Sequence, residues 1–173
     1  MMPVIRAERA EDVVRVRDVN LRAFDTPLEA KLVDALRRDA DPIISLVAVD
    51  GRALVGHILF SPVTLLLQPD LRVMGLAPMA VTPERQRQGI GSALVREGLV
   101  ACERLGAAAV VVLGHAHYYP RFGFVPASSY GLASEYDVPA DVFMAREIMP
   151  GALGRVSGTV RYHPLFAAAE DGR

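Results

Sequence analysis

A chain of 173 residues matches one ordinary globular domain, and its 51% hydrophobic content is enough to fill a core. With 19 basic against 20 acidic side chains the net charge is −1, which excludes broad, phosphate-driven binding to nucleic acid. The longest apolar stretches, such as residues 107–113, fall short of the roughly 18 needed to span a bilayer, and the single Cys102 excludes an internal disulfide or multi-cysteine metal site.

The opening Met1-Met2-Pro3-Val4-Ile5-Arg6-Ala7-Glu8 alternates and then turns charged, unlike a secretory leader, so a cytoplasmic protein away from membranes is expected. Residues 4–7 read as a first strand. Between Glu11 and Phe24, Val13, Val16, Val19 or Asn20, and Phe24 recur near helical spacing. Leu28, Leu32 and Leu36 mark a second amphipathic helix ending at Arg38. Apolar runs at 43–49 and 53–60 flank Asp50-Gly51, a two-residue hairpin signal. Another strand is expected over 72–81.

Residues 89–105 predict a helix with Ile90, Leu94, Ala101 and Leu105 on one stripe and Arg96, Glu97, Glu103 and Arg104 opposite. Gly106 stops it. The unbroken apolar run 107–113 suits a parallel strand covered on both faces, completing a right-handed strand–helix–strand crossover. Beyond it are a short helix near 118–122, strands near 124–126 and 143–149, and an edge strand at 159–162. The pattern describes an α/β fold, a mixed sheet with helices on both faces. One domain is expected over 1–150, with 151–173 as an extension packed on it.

The informative stretch is Ala80-Val81-Thr82-Pro83-Glu84-Arg85-Gln86-Arg87-Gln88-Gly89-Ile90-Gly91-Ser92. A strand ends, a polar turn follows, and two glycines sit where a helix begins. The first turn of a helix carries unpaired N–H groups and partial positive charge, and a glycine lets an anion approach that backbone. Arg85 and Arg87 add positive charge. A dinucleotide fingerprint would need glycine where Leu94 stands, and no Gly-Lys-Ser or Gly-Lys-Thr loop occurs. Two glycines alone also fit a plain glycine-capped helix start.

The run from Gln86 to Gly91 resembles the pyrophosphate-arm signature of the GNAT superfamily of acyl-CoA-dependent N-acetyltransferases. Gly75-Leu76-Ala77-Pro78-Met79-Ala80-Val81-Thr82-Pro83 resembles that superfamily's central strand, and Tyr118-Tyr119-Pro120-Arg121-Phe122-Gly123-Phe124 its second conserved block. Most of the chain is similar to the YhbS-like branch. The resemblance implies a GNAT-like, mostly antiparallel mixed sheet. Its central parallel pair would splay at a bulge near Pro78 and admit the pantetheine arm of acetyl-CoA, the implied cosubstrate. The cofactor-binding positions it implies are Met79, Ala80 and Val81 on the strand, then Gln86, Arg87, Gln88, Gly89, Ile90, Gly91 and Ser92. It implies that residues 1–150 are the N-acetyltransferase domain.

Tyr119 matches the tyrosine that points its hydroxyl at the cofactor sulfur in this superfamily and is the implied catalytic acid, with Tyr118 the alternate. Glu29 falls where members form part of the acceptor pocket and is the implied substrate contact; as a charge near a helix start it equally fits a purely electrostatic role. Glu135 and Asp137 share that ambiguity, and the base stays unassigned. His115 and His117 lack a third ligand nearby, so no metal is expected. The implied activity is acetyl transfer to the primary amine of a small molecule or peptide, by direct attack in a ternary complex. The alternative is a non-catalytic acyl-CoA-binding sensor or scaffold. A homodimer through the C-terminal strand is compatible with the residues, which do not demand it.

Overall fold

The computed structural model describes residues 1–170, which form a mixed, mostly antiparallel sheet of nine strands with four α-helices. Among them no helix is long and apolar enough to cross a membrane. The chain divides into two compact units, and three elements pass from one into the other.

The first unit contains Met1–Ser61, Ala77–Gly98 and the chain from Pro164. Strand β1 (Val4–Ala7) pairs antiparallel with β2 (Ile44–Asp50), which pairs antiparallel with β3 (Ala53–Leu65). Next in order comes β4 (Val73–Val81). Asp50 faces Ala53, so the hairpin loop is Gly51-Arg52, one residue later than expected. Gly51 takes φ 59°, the glycine-first geometry of a II′ turn.

From Leu54 to Ser61, β3 is buried without interruption because helices cover both faces. On one face α1 (Val13–Ala23) and α2 (Leu28–Asp39) bring Val16, Val19, Leu32, Val33 and Leu36 onto Val47, Leu54, Leu59 and Ala80. Leu165 and Phe166 of α4 (Pro164–Glu170), a helix absent from the sequence expectation, close the edge of that cluster. On the other face α3 (Ile90–Leu105) lies close because glycines stand at both contacts. A Cβ on Gly56 would come within 3.0 Å of Leu94 Cδ1, and one on Gly98 would overlap the Phe60 ring. Gly98 costs the helix about 0.5–1 kcal/mol relative to alanine, and its missing side chain makes room for a buried aromatic.

A polar chain threads this core. Fully buried His57 on β3 meets Asn20 Nδ2 through Nδ1 at 3.2 Å and Ser45 Oγ through Nε2 at 2.9 Å. Asn20 Nδ2 also donates to Val16 O, which fixes it as the donor, so the neutral imidazole carries its proton on Nε2. The Ser45 hydroxyl donates to Glu8, whose other oxygen accepts from Arg37 at 2.5 Å. Burial, aided by the Arg37 charge, pushes the His57 pKa down to about 3. Separately, the Arg6 guanidinium holds buried Asp12 at about 2.

The second unit contains Pro62–Leu76 and Leu99–His163. Val73, Met74 and Gly75 of β4 pair parallel with Ala109, Val110 and Val111 of β5 (Ala109–Leu113). Registered pairing ends there, while β4 runs on to Val81. Strand β5 pairs antiparallel with β8 (Phe143–Glu147), which also takes the short β6 (Val125–Pro126). Strand β8 stops two residues before the expected 149 because the N–H groups of Ile148 and Met149 both turn to Ala108 O.

Where the sequence suggested an edge strand, β9 (Gly158–Arg161) is paired on both sides, antiparallel with β3 and parallel with β7 (Leu132–Ser134). Its hydrogen-bonding edges are thus used within the chain. Strand β3 also outruns the expected 60: Pro62 lacks an N–H, but Thr64 and Leu65 still find partners on β9.

Candidate active site

Past β4, the side chains of Glu84, Arg85, Gln86 and Gln88 are engaged in holding the turn. Buried Thr82 donates its N–H to Val55 O at 3.0 Å, tying the strand end to β3. Residues Pro83–Arg85 make one 3₁₀ turn. Gln86 Nε2 reaches back to Val81 O and Gln88 Nε2 to Glu84 O, both at 3.0 Å. Arg85 bonds Gln88 Oε1 at 3.1 Å and Asp50 Oδ2 at 2.6 Å, and Arg22 forks onto both oxygens of Glu84 at 2.8 and 2.9 Å. Arg85 is therefore paired with the hairpin aspartate. Arg87 remains exposed.

The backbone here is left-handed twice, at Arg87 with φ 60° and at Gly89 with φ 83°. Such a conformation favours glycine and is unusual for arginine. It swings the chain into α3, where Ala93 N–H bonds back to Gly89 O at 3.0 Å. The N–H groups of Ile90 and Gly91 precede any intrahelical acceptor. A Cβ on Gly89 would meet only Met2 Cε, at 3.8 Å, so the approach to this backbone is open. A 16-residue helix adds its dipole at the same point. The site suits an anion bound by main-chain amides, with Arg87 as the flanking charge.

The expected strand residues divide by face. Ala77, Met79 and Val81 are half-buried on one side of β4, while Pro78 and Ala80 are buried on the other, Ala80 within the α1–α2 core. Any role for Ala80 therefore belongs to its main chain. Ser92 is half-buried in the first turn of α3.

In the second unit Tyr119 opens a 3₁₀ turn, Tyr119–Phe122, that Gly123 ends at φ 87°. A Cβ on Gly114 would collide with the Tyr119 ring, 2.4 Å from the nearest carbon. Tyr118 and Phe124 meet it edge-on, with centroids 5.1 and 5.7 Å away. Burial pushes the Tyr119 phenol up to about 12, with Tyr118 adding to the shift. Tyr119 is thus a weaker acid than the ordinary phenol assumed from sequence. Tyr118 is half-buried beneath the Arg121 guanidinium, 4.7 Å from the ring centroid.

Glu29 stands half-buried in the first turn of α2 and accepts from Thr26 Oγ1 at 3.4 Å. Glu135 accepts the Tyr162 N–H at 3.0 Å, a structural bond. Asp137 is exposed and, among the described residues, has no ion-pair or hydrogen-bond partner. His115 and His117 are exposed in the loop after β5, and no group of three metal-ligating side chains occurs among the described residues. Cys102 is buried in α3 with its thiol pushed up to about 12, which leaves no thiolate at neutral pH. Sequence reasoning missed the Arg85–Asp50 and Arg22–Glu84 pairs; their partners are 35 and 62 residues apart, beyond any local pattern.

A model of the acetyltransferase (GNAT) family matches residues 13–124 of this chain. The chain is 37% identical over 164 residues to YhbS of Escherichia coli K12, an uncharacterized N-acetyltransferase; the match covers 94% of this chain and 98% of YhbS. The crystal structure of the E. coli YhbS protein in complex with CoA superposes with a TM-score of 0.90 at 35% identity, covering 96% of this chain and 93% of that one. A GNAT family acetyltransferase from Brucella melitensis, solved with acetyl-CoA, gives 0.78 at 35% identity, with coverage of 96% and 98%.

Proposed function

Because the chain belongs to the GNAT family of acetyltransferases, we propose that it transfers an acetyl group from acetyl-CoA to a primary amine by direct attack in a ternary complex. The observation that carries this reading is the turn ahead of α3: Arg85, Gln86 and Gln88 brace it, its backbone is left-handed at Arg87 and Gly89, and the Ile90 and Gly91 amides stand ahead of any intrahelical acceptor. Those amides would hold a pyrophosphate, with Arg87 supplying charge and the main chain of Gln86, Gln88, Gly89 and Ser92 shaping the cradle. Main-chain groups of Met79, Ala80 and Val81 would carry the pantetheine amides. Acetyl-CoA brings the activated acyl group as a thioester.

Tyr119 keeps its proton. A thiol of ordinary pKa, about 8.5, lies roughly 3.5 units below a phenol at about 12, so full transfer would be uphill by about 5 kcal/mol. Tyr119 Oη therefore acts as a hydrogen-bond donor to the departing sulfur. On the acceptor side, a lysine-like amine of pKa about 10.4 is unprotonated in roughly one molecule in 2,500 at pH 7, a cost of about 4.6 kcal/mol. A carboxylate or a water must take that proton, and Glu29 is our candidate contact for the acceptor. We assign the transferase function to residues 1–150, with 151–173 as an extension of the same domain, and place the protein in the cytoplasm.

The test is calorimetric titration of the full chain with CoA, followed by a released-thiol screen with acetyl-CoA over small amines and peptide N-termini. Binding followed by turnover is expected. Binding with no turnover on any amine would favour a sensor, and absence of CoA affinity would sink both readings.

A further inference from the structure

Along the loop leading into β8, the second unit carries a half-open cavity of about 210 Å³ that no role above uses. Its wall is mainly apolar, with Leu132, Val138 and Phe143 among its side chains, and Asp137 is the one charged residue that lines it. No Lys, Arg or His occurs between Ser128 and Phe143. Neighbouring polar groups are already engaged: Ser134 Oγ accepts the Tyr136 N–H at 3.0 Å, and Glu135 accepts the Tyr162 N–H. A free carboxylate at an apolar cavity is complementary to an ammonium on an apolar chain. Drug-sized ligands need about 300 Å³ or more, so the cavity fits the end of a molecule.

The cavity adjoins Tyr119 through one strand pair. Phe143 stands opposite Leu113 in the β5–β8 register, and Gly114 N–H donates to Val142 O at 3.0 Å. Gly114 is also the residue whose missing side chain makes room for the Tyr119 ring.

Chemistry then decides which amine the cavity takes. A carboxylate beside an ammonium stabilises its charged form, so a group held by Asp137 stays protonated and is no nucleophile. The amine that attacks must be a second one. We infer that the cavity, through Asp137, recognises the protonated end of an acceptor whose other amine is acetylated: an α,ω-diaminoalkane or a comparable apolar dication. The inference rests on the acetyltransferase reading above.

Steady-state acetylation by the full chain is to be compared for 1,6-diaminohexane and n-hexylamine, in wild type, Asp137→Asn and Asp137→Glu. In parallel, n-hexylammonium is titrated by calorimetry without acetyl-CoA. For the wild type, kcat/KM for the diamine is expected about fivefold above that for the monoamine, the upper end of an exposed ion pair's contribution. Asp137→Asn should erase the difference and Asp137→Glu should keep it. Equal kcat/KM values in wild type, or a loss in Asp137→Asn that falls equally on both amines, overturns the assignment. The two readings fail separately. Binding of n-hexylammonium that weakens in Asp137→Asn, without turnover of any amine, supports the cavity and sinks the transferase. Turnover that ignores Asp137 sinks the cavity alone.

Discussion

His57 should make this protein acid-sensitive well above the pH at which carboxylates titrate. In the folded chain its pKa is depressed to about 3, whereas an unfolded chain binds a proton near 6.5. The depressed side is the folded one, so the stability contribution is intact above about pH 6.5. It falls as pH drops toward 3, because only the unfolded state gains the proton. The limiting slope for one proton is about 1.4 kcal/mol per pH unit, and integration from pH 7.5 to 5 gives a loss of about 2 kcal/mol. Asp12, held at about 2, weakens the fold only below about pH 4, so the two windows separate. The chain has no Trp, so guanidinium unfolding at each pH is best followed by far-UV circular dichroism. His57→Gln has no ionisable group and should flatten the profile between pH 7.5 and 5, whatever its starting stability. A flat wild-type profile, or the same slope in the variant, would refute the buried neutral imidazole.

Three further outcomes are expected. Gly89→Ala forces a Cβ onto a φ of 83°, costing about 1–2 kcal/mol of stability, and should weaken CoA binding about tenfold by calorimetry; unchanged affinity would remove this turn from the site. Tyr119→Phe should lower kcat about 10- to 100-fold, below the range of full proton transfer, with CoA affinity intact, and the wild-type rate should show no alkaline decline from this group below about pH 11. Gly98→Ala drives a methyl into Phe60; an overpacking cost of about 1–3 kcal/mol exceeds a helix gain of about 1, lowering Tm by several degrees, and adding Phe60→Leu should restore most of it.

Much of this architecture was legible because it is periodic. The spacing of Leu28, Leu32 and Leu36 located α2, and the unbroken valines of β5 announced a strand buried on both sides. Gly89 ahead of α3 was visible for a different reason, since its left-handed backbone favours glycine. What escaped depends on partners distant in sequence. Strand β7 has three residues, too few for a period, and exists through its pairing with β9. The pairing of Arg85 with Asp50 across 35 residues has no local signal, and neither have the bonds that Gln86 and Gln88 make within their own turn. The acid strength of Tyr119 follows from the packing of Tyr118, Phe124 and Gly114 around one ring, and the Asp137 cavity from a loop whose local sequence has no regular repeat.

The burial of Cys102 bears on how the enzyme can be assayed. As the chain's sole sulfhydryl, locked inside α3 with almost no ionised fraction, it should ignore a chromogenic disulfide reagent, so colour in a turnover assay counts liberated CoA without background from the protein. The same side chain becomes a sentinel: its slow labelling in the absence of substrate reports how often the helix opens, and a ligand that tightens the fold should lengthen that lag.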